Sequence, residues 1–108
     1  MEDIAENKQY FVGPLNINRQ TRQADTVMGT KLLLGENEFD ALDKLAEHEG
    51  EIFTLEQLNA AHEELGSLMK QVNSKGEGFM WIEYEPEAGY VFKTRWGRAW
   101  YKNKAFII

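Results

Sequence analysis

Cysteine is missing altogether from this 108-residue chain, which rules out disulfides, thiolate metal sites and cysteine nucleophiles. Only two prolines are present, Pro14 and Pro86, so the chain is neither a proline-rich linker nor a fibrous protein. No apolar run approaches the roughly 18 to 20 residues needed to cross a bilayer, and the opening MEDIAENKQYF is acidic and polar, unlike a signal peptide. A cytoplasmic location with no membrane partner is therefore expected. Motifs of catalysis are lacking too: there is no glycine-rich nucleotide loop, no serine elbow and no zinc-protease helix. The two histidines, His48 and His62, stand 14 positions apart and form no metal-ligand pattern. Neither an enzyme nor a cofactor or metal site is expected.

Positive charge is scarce. Twelve Lys and Arg against 18 Asp and Glu leave a net charge of −6, and such a balance repels a polyanion at long range. The distribution is uneven, however. Lys93, Arg95, Arg98, Lys102 and Lys104 fall in the last 16 residues, which hold no Asp or Glu, so this tail is +5 and the remainder −11. Composition is otherwise that of a globular protein, 43% hydrophobic and 28% charged, at a length that suits residues 1–108 forming one domain with one core.

Residues 11–34 alternate at Leu15 and Ile17 and again at Val27, Leu32 and Leu34, interrupted by the turn-rich NRQTRQ and by Met28-Gly29-Thr30. This pattern predicts a meander of three short strands. Residues 36–75 are helical in period. Phe39, Leu42, Leu45 and Ala46 share one face of a first helix over 36–48, whose first turn carries Glu36 and Glu38. Thr54 with Gln57 three residues on is a capping box, so a second helix starts near Leu55. Beyond it the apolar period allows one long helix or two. A break near Gly66 is favoured, because glycine costs a helix interior about 1 kcal/mol and Ser67 can cap a third helix over 67–75. Residues 79–93 then read as a hairpin turning over Pro86 to Gly89, and residues 94–108 as a basic aromatic tail.

The order strand, strand, strand, helix, helix, helix, hairpin is that of a winged helix preceded by a sheet. Leu34-Gly35-Glu36-Asn37-Glu38-Phe39-Asp40-Ala41-Leu42, preceded by Gly13-x-Leu15-x-Ile17 and Thr21-Arg22, resembles the Leu-Thr-Pro-x-Glu-Phe-x-x-Leu element of the C-terminal effector domain of OmpR/PhoB-type response regulators. Leu45-Ala46, Gly50 and Thr54-x-Glu56-Gln57-Leu58 are similar to that family's Leu-x-x-x-x-Gly-x-x-x-x-Arg-Glu-Gln-Leu, and the hairpin keeps Ile82, Gly89, Tyr90 and Phe92 of its Ile-x-Thr-Val-Arg-Gly-x-Gly-Tyr-x-Phe. The match spans about residues 11–93. It implies an α+β winged helix-turn-helix with an N-terminal antiparallel meander, three helices and a C-terminal hairpin wing, acting as a DNA-binding transcriptional regulator, here without a receiver domain. Two departures stand out. Pro86 replaces the arginine of the wing, and the helix that the family sends into the major groove has lost most of its arginines.

In a recognition helix over 67–75, Leu68, Met69 and Val72 turn inward. Ser67, Lys70, Gln71, Ser74 and Lys75 are left outward with Asn73 at the flank, and these six are the expected base-contacting residues. Gln and Asn can pair bidentately with adenine, Lys with guanine and hydroxyls with either, although any solvated helix face has the same composition. Lys93, Arg95, Arg98, Lys102 and Lys104, interleaved with Trp96, Trp100, Tyr101 and Phe106, are the expected phosphate contacts; equally, the aromatic residues could complete a sheet or dimer surface. Glu83, Glu85 and Glu87 recur at period two and suggest one charged strand face that discourages edge pairing. A homodimer through the N-terminal sheet or the tail would supply a repeated half-site. The competing expectation is a protein-interaction module that does not bind DNA and holds a protein partner through its acidic body or the Trp96/Trp100 patch.

Overall fold

A computed structural model describes residues 9–95. The expectations placed on Trp96, Arg98, Trp100, Lys102 and Lys104 lie outside the described residues. Three strands, β1 (Gln9–Val12), β2 (Leu15–Asn18) and β3 (Gln23–Thr26), form an antiparallel sheet in the order β1-β2-β3. Val12 faces Leu15 across the two-residue Gly13-Pro14 turn, where Gly13 takes a φ of 59° that a residue with a Cβ rarely adopts. At the other end Asn18 accepts hydrogen bonds from the Gln20 and Thr21 amides, both at 3.0 Å, shaping the loop to β3.

The third strand is not where the alternation of Val27, Leu32 and Leu34 put it. It is the polar QADT segment, of which Ala24 and Thr26 are buried, while Val27 lies in the following turn with 62% of its surface exposed. Pairing with β2 supplies the ladder here, and a hydrophobic pattern was not needed to specify it.

Helix α1 (Glu36–Glu47) buries Phe39, Ala41, Leu42, Leu45 and Ala46. Glu38 reaches back to accept from the Gly35 amide at 2.9 Å, which satisfies one of the donors a helix start leaves open. The N-terminal sheet is fastened to the outer side of α1 by its loop arginines. Arg19 donates to Asp43 (2.8 Å) and Glu47 (2.8 Å), and Arg22 to Asp40 (2.9 Å). Tyr10 beneath Arg19 donates its hydroxyl to Asp43 at 2.6 Å.

The second sheet, β4 (Ile52–Phe53), β5 (Met80–Glu85) and β6 (Gly89–Thr94), has the order β4-β6-β5. Gly89 lies where β4 crosses: its φ is 132°, and a Cβ there would fall 2.1 Å from the Phe53 carbonyl oxygen. No other residue fits that position without moving β4. Between β4 and β5 lie α2 (Leu55–Leu58) and α3 (His62–Lys75). Leu65, Leu68 and Val72 of α3 meet Phe39, Leu42 and Leu45 of α1 and Met80, Ile82, Tyr90 and Phe92 of the hairpin in one continuous core, which Val12, Leu15 and Ile17 complete from the first sheet.

The helical break comes seven residues earlier than expected. Helix α2 ends at Leu58 and is capped by Asn59, whose φ of 54° is left-handed, and α3 runs unbroken through Gly66 and Ser67. Asparagine tolerates that conformation at a helix end, and Glu64 accepts from the Ala61 amide at 2.8 Å, fixing the start of α3. Ser67 therefore caps nothing. Gly66 stays helical, with open space where a Cβ would stand, so the helix simply carries glycine's cost of about 1 kcal/mol.

Candidate nucleic-acid interface

Opposite the buried side of α3, four residues line up at spacings of four, three and four: Glu63, Ser67, Lys70 and Ser74. At about 100° per residue they fall within an arc of roughly 60° and span about 16 Å. All four are exposed, and no hydrogen bond or ion pair from any of them is seen among the described residues. Ser67, Lys70 and Ser74 are thus brought together as the sequence led us to expect, on a helix that begins a turn and a half sooner. Glu63 joins the row because α3 starts at His62 and not at Ser67, the start that the sequence pattern favours.

Gln71 and Asn73 lie elsewhere. Each is rotated about 80° from this row, one to either side, and each is engaged with main chain. Gln71 accepts from the Leu33 amide at 2.8 Å and donates to the Leu33 carbonyl. Asn73 accepts from the Ile82 amide at 2.7 Å and donates to its carbonyl at 3.2 Å. Two carboxamides therefore hold α3 from opposite flanks, one to the segment entering α1 and the other to the edge strand β5. Lys75 is half-exposed in the last turn.

The cations divide in the same way. Lys93 is paired with Glu83 at 3.1 Å, Arg95 lies over the Phe79 ring, and Lys44 donates to the Gln57 carbonyl at 3.1 Å. Arg19 and Arg22 are bound to α1 as described. Among the described residues only Lys31, Lys70 and Lys75 have no ion pair, hydrogen bond or ring contact, and two of these three are on α3.

The wing carries its carboxylates differently from a uniform charged face. Glu83 accepts from the Trp81 indole at 2.8 Å, and this bond and then Lys93 hold its carboxyl below the usual range. Glu85 ends β5, and Glu87 sits in the turn rather than on the strand. The Ala88 amide donates to the Glu85 carbonyl at 2.9 Å across Pro86 and Glu87. With proline second and a φ of 73° at Glu87, this has the form of a type II turn, which ordinarily asks for Gly or Asn at the third position.

Wing and helix meet at an aromatic cluster. His62, the first residue of α3, has its Nδ1 2.8 Å from the Tyr90 hydroxyl, and the Tyr84 ring lies 4.8 Å from that of Tyr90. Burial, and secondarily Tyr84, push the Tyr90 phenol above its ordinary range. No helix among the described residues is long and apolar enough to cross a membrane.

No family model matches the chain, and no curated protein matches it in sequence. Solved structures do. The DNA-binding domain of CpxR from E. coli superposes with a TM-score of 0.65 at 21% identity, covering 80% of this chain and 96% of that one. The DNA-binding domain of RstA from Klebsiella pneumoniae, solved in complex with the RstA box, gives 0.58 at 23% identity, covering 80% and 97%. The fold is accordingly the winged helix of such OmpR/PhoB-type domains, with α2 and α3 as its helix-turn-helix and β5–β6 as its wing.

Proposed function

We propose that this domain binds double-stranded DNA as a transcriptional regulator, laying the exposed row of α3 in the major groove. The observation that carries this is the pairing pattern of the cations: among the described residues, Lys70 and Lys75 are left without partners on α3, whose outer row is exposed. Lysine donates well to guanine O6 and N7 or to phosphate, and serine to either kind of acceptor. Ser67, Lys70 and Ser74 would face base edges, with Lys75 near the backbone. Gln71 and Asn73 would act by fixing the rotation of α3. Arg95, with Arg98, Lys102 and Lys104 of the tail, supplies further phosphate contacts by charge, whereas Lys93 would first have to leave Glu83. A second copy bound to a repeated half-site would raise affinity, since one module of this size makes few contacts.

Retention of the full chain on duplex DNA across a salt series tests this. Each phosphate contact should contribute about −0.9 to the slope of log affinity against log salt, and Lys70→Glu should weaken retention. Retention indifferent to both salt and Lys70→Glu would overturn it.

The acidity of the body favours a second reading, a winged helix that binds protein. Residues 9–95 hold 8 Lys and Arg against 15 Asp and Glu, a net −7, and Glu85 and Glu87, which have no ion pair among the described residues, place acidic charge at the wing. Absence of DNA retention at low salt, together with capture of a defined basic protein partner, would favour it.

A further inference from the structure

Glu63 stands at the head of the exposed row, where a carboxylate is at odds with a phosphate backbone. Its neighbours are used by the fold. Glu64 caps Ala61 at 2.8 Å and accepts from Asn37 at 3.2 Å, whereas Glu63 is exposed and has no partner among the described residues. As a first-turn acid Glu63 favours the helix dipole, but Glu64 fills the same role, and no side-chain contact among the described residues calls for a second acid here. An anionic side chain presented to a groove cannot approach phosphate oxygens, guanine O6 and N7, or thymine O4, since all of these are acceptors. Only the amino groups of cytosine and adenine remain. Beside adenine N6 lies the N7 acceptor, which repels a carboxylate, while cytosine offers N4 alone.

We propose that Glu63 is a specificity-determining residue that accepts a hydrogen bond from cytosine N4, with Lys70 donating to guanine further along the groove. This rests on the DNA-binding reading above. Seven residues of helix separate the two, about 10 Å at 1.5 Å per residue, or roughly three base pairs at 3.4 Å each. The preferred half-site therefore holds two G·C pairs about three steps apart, with Ser67 tolerant of the bases between. Glu63 also lowers affinity for every other sequence, because where no amino group meets it the buried carboxylate goes unpaired.

Selection of bound duplexes from a randomised pool, with the full chain and Glu63→Gln in parallel, decides the matter. The parent chain should enrich cytosine over other bases at one position by about tenfold, in line with a single good base contact. Glu63→Gln should lose that preference or shift it to adenine, and its retention on random duplex at low salt should be equal or greater. Matching thermal melts would show the variant folded. Identical base preferences in the two proteins would overturn the assignment while leaving DNA binding intact. Failure of both to retain any duplex would instead remove the DNA-binding reading, and this inference with it.

Discussion

Arg19 and Arg22, in the loop between β2 and β3, are committed to carboxylates of α1, whereas Lys70 and Lys75 on α3 pair with none among the described residues. Both pairs belong to one small acidic domain, and nothing in composition separates them. The difference lies in chemistry and placement. Arginine's planar fork can serve two acceptors at once and lie over a ring, as Arg19 does with Asp43, Glu47 and Tyr10, so it suits a half-buried latch. On α3 itself the acids are Glu63 and Glu64, six or more residues from Lys70, and Glu64 is turned to the Ala61 amide. Positive charge is thus structural on one side of the core and available on the other.

That contrast is open to experiment. The largest effect should come from Arg19→Ala, which strips two carboxylates and the Tyr10 ring of their shared partner. Hydrogen bonds to charged groups are worth about 1.5–3 kcal/mol, so denaturant unfolding should show a loss of about 2–3 kcal/mol, with DNA retention of the folded protein unchanged. Asn73→Ala comes next, at about 2 kcal/mol, since it leaves the Ile82 amide and carbonyl of an edge strand without their partner. A polar α3 residue that is structural should betray itself this way. Glu87→Gly should act in the opposite sense, raising stability by about 1 kcal/mol by relieving the left-handed turn residue. The smallest effect on unfolding belongs to Lys70→Ala, under about 0.5 kcal/mol, although it should reduce the salt slope of DNA retention by up to about 0.9. A Lys70→Ala protein that unfolds as readily as Arg19→Ala would break the division between the two pairs.

Much of the fold was legible because several signals agreed. The amphipathic face of α1, the Thr54–Gln57 capping box and the Tyr90–Phe92 run each matched a local rule, and the structure contains all three. The helical break was not, because Ala60 and Ala61 are good helix formers on either reading and Gly66 is the stronger local disruptor. Tertiary packing overrode it: Leu65, Leu68 and Val72 bury one face only if the helix continues through Gly66. The left-handed Asn59 and the reach-back of Glu64 were the signals that could have located the break. On α3, helical phase separated outward residues from buried ones, but it could not reveal that Gln71 and Asn73 would find backbone partners 38 and 9 positions away.

Both carboxamides grip peptide groups instead of side chains, and this makes their hold indifferent to what residues 33 and 82 carry. At Leu33, three-quarters of whose surface faces solvent, almost any amino acid should leave the helix as firmly seated as before. Proline alone is different: it has no amide hydrogen to offer Gln71, so placing it there should leave that side of α3 held by the carbonyl of residue 33 alone.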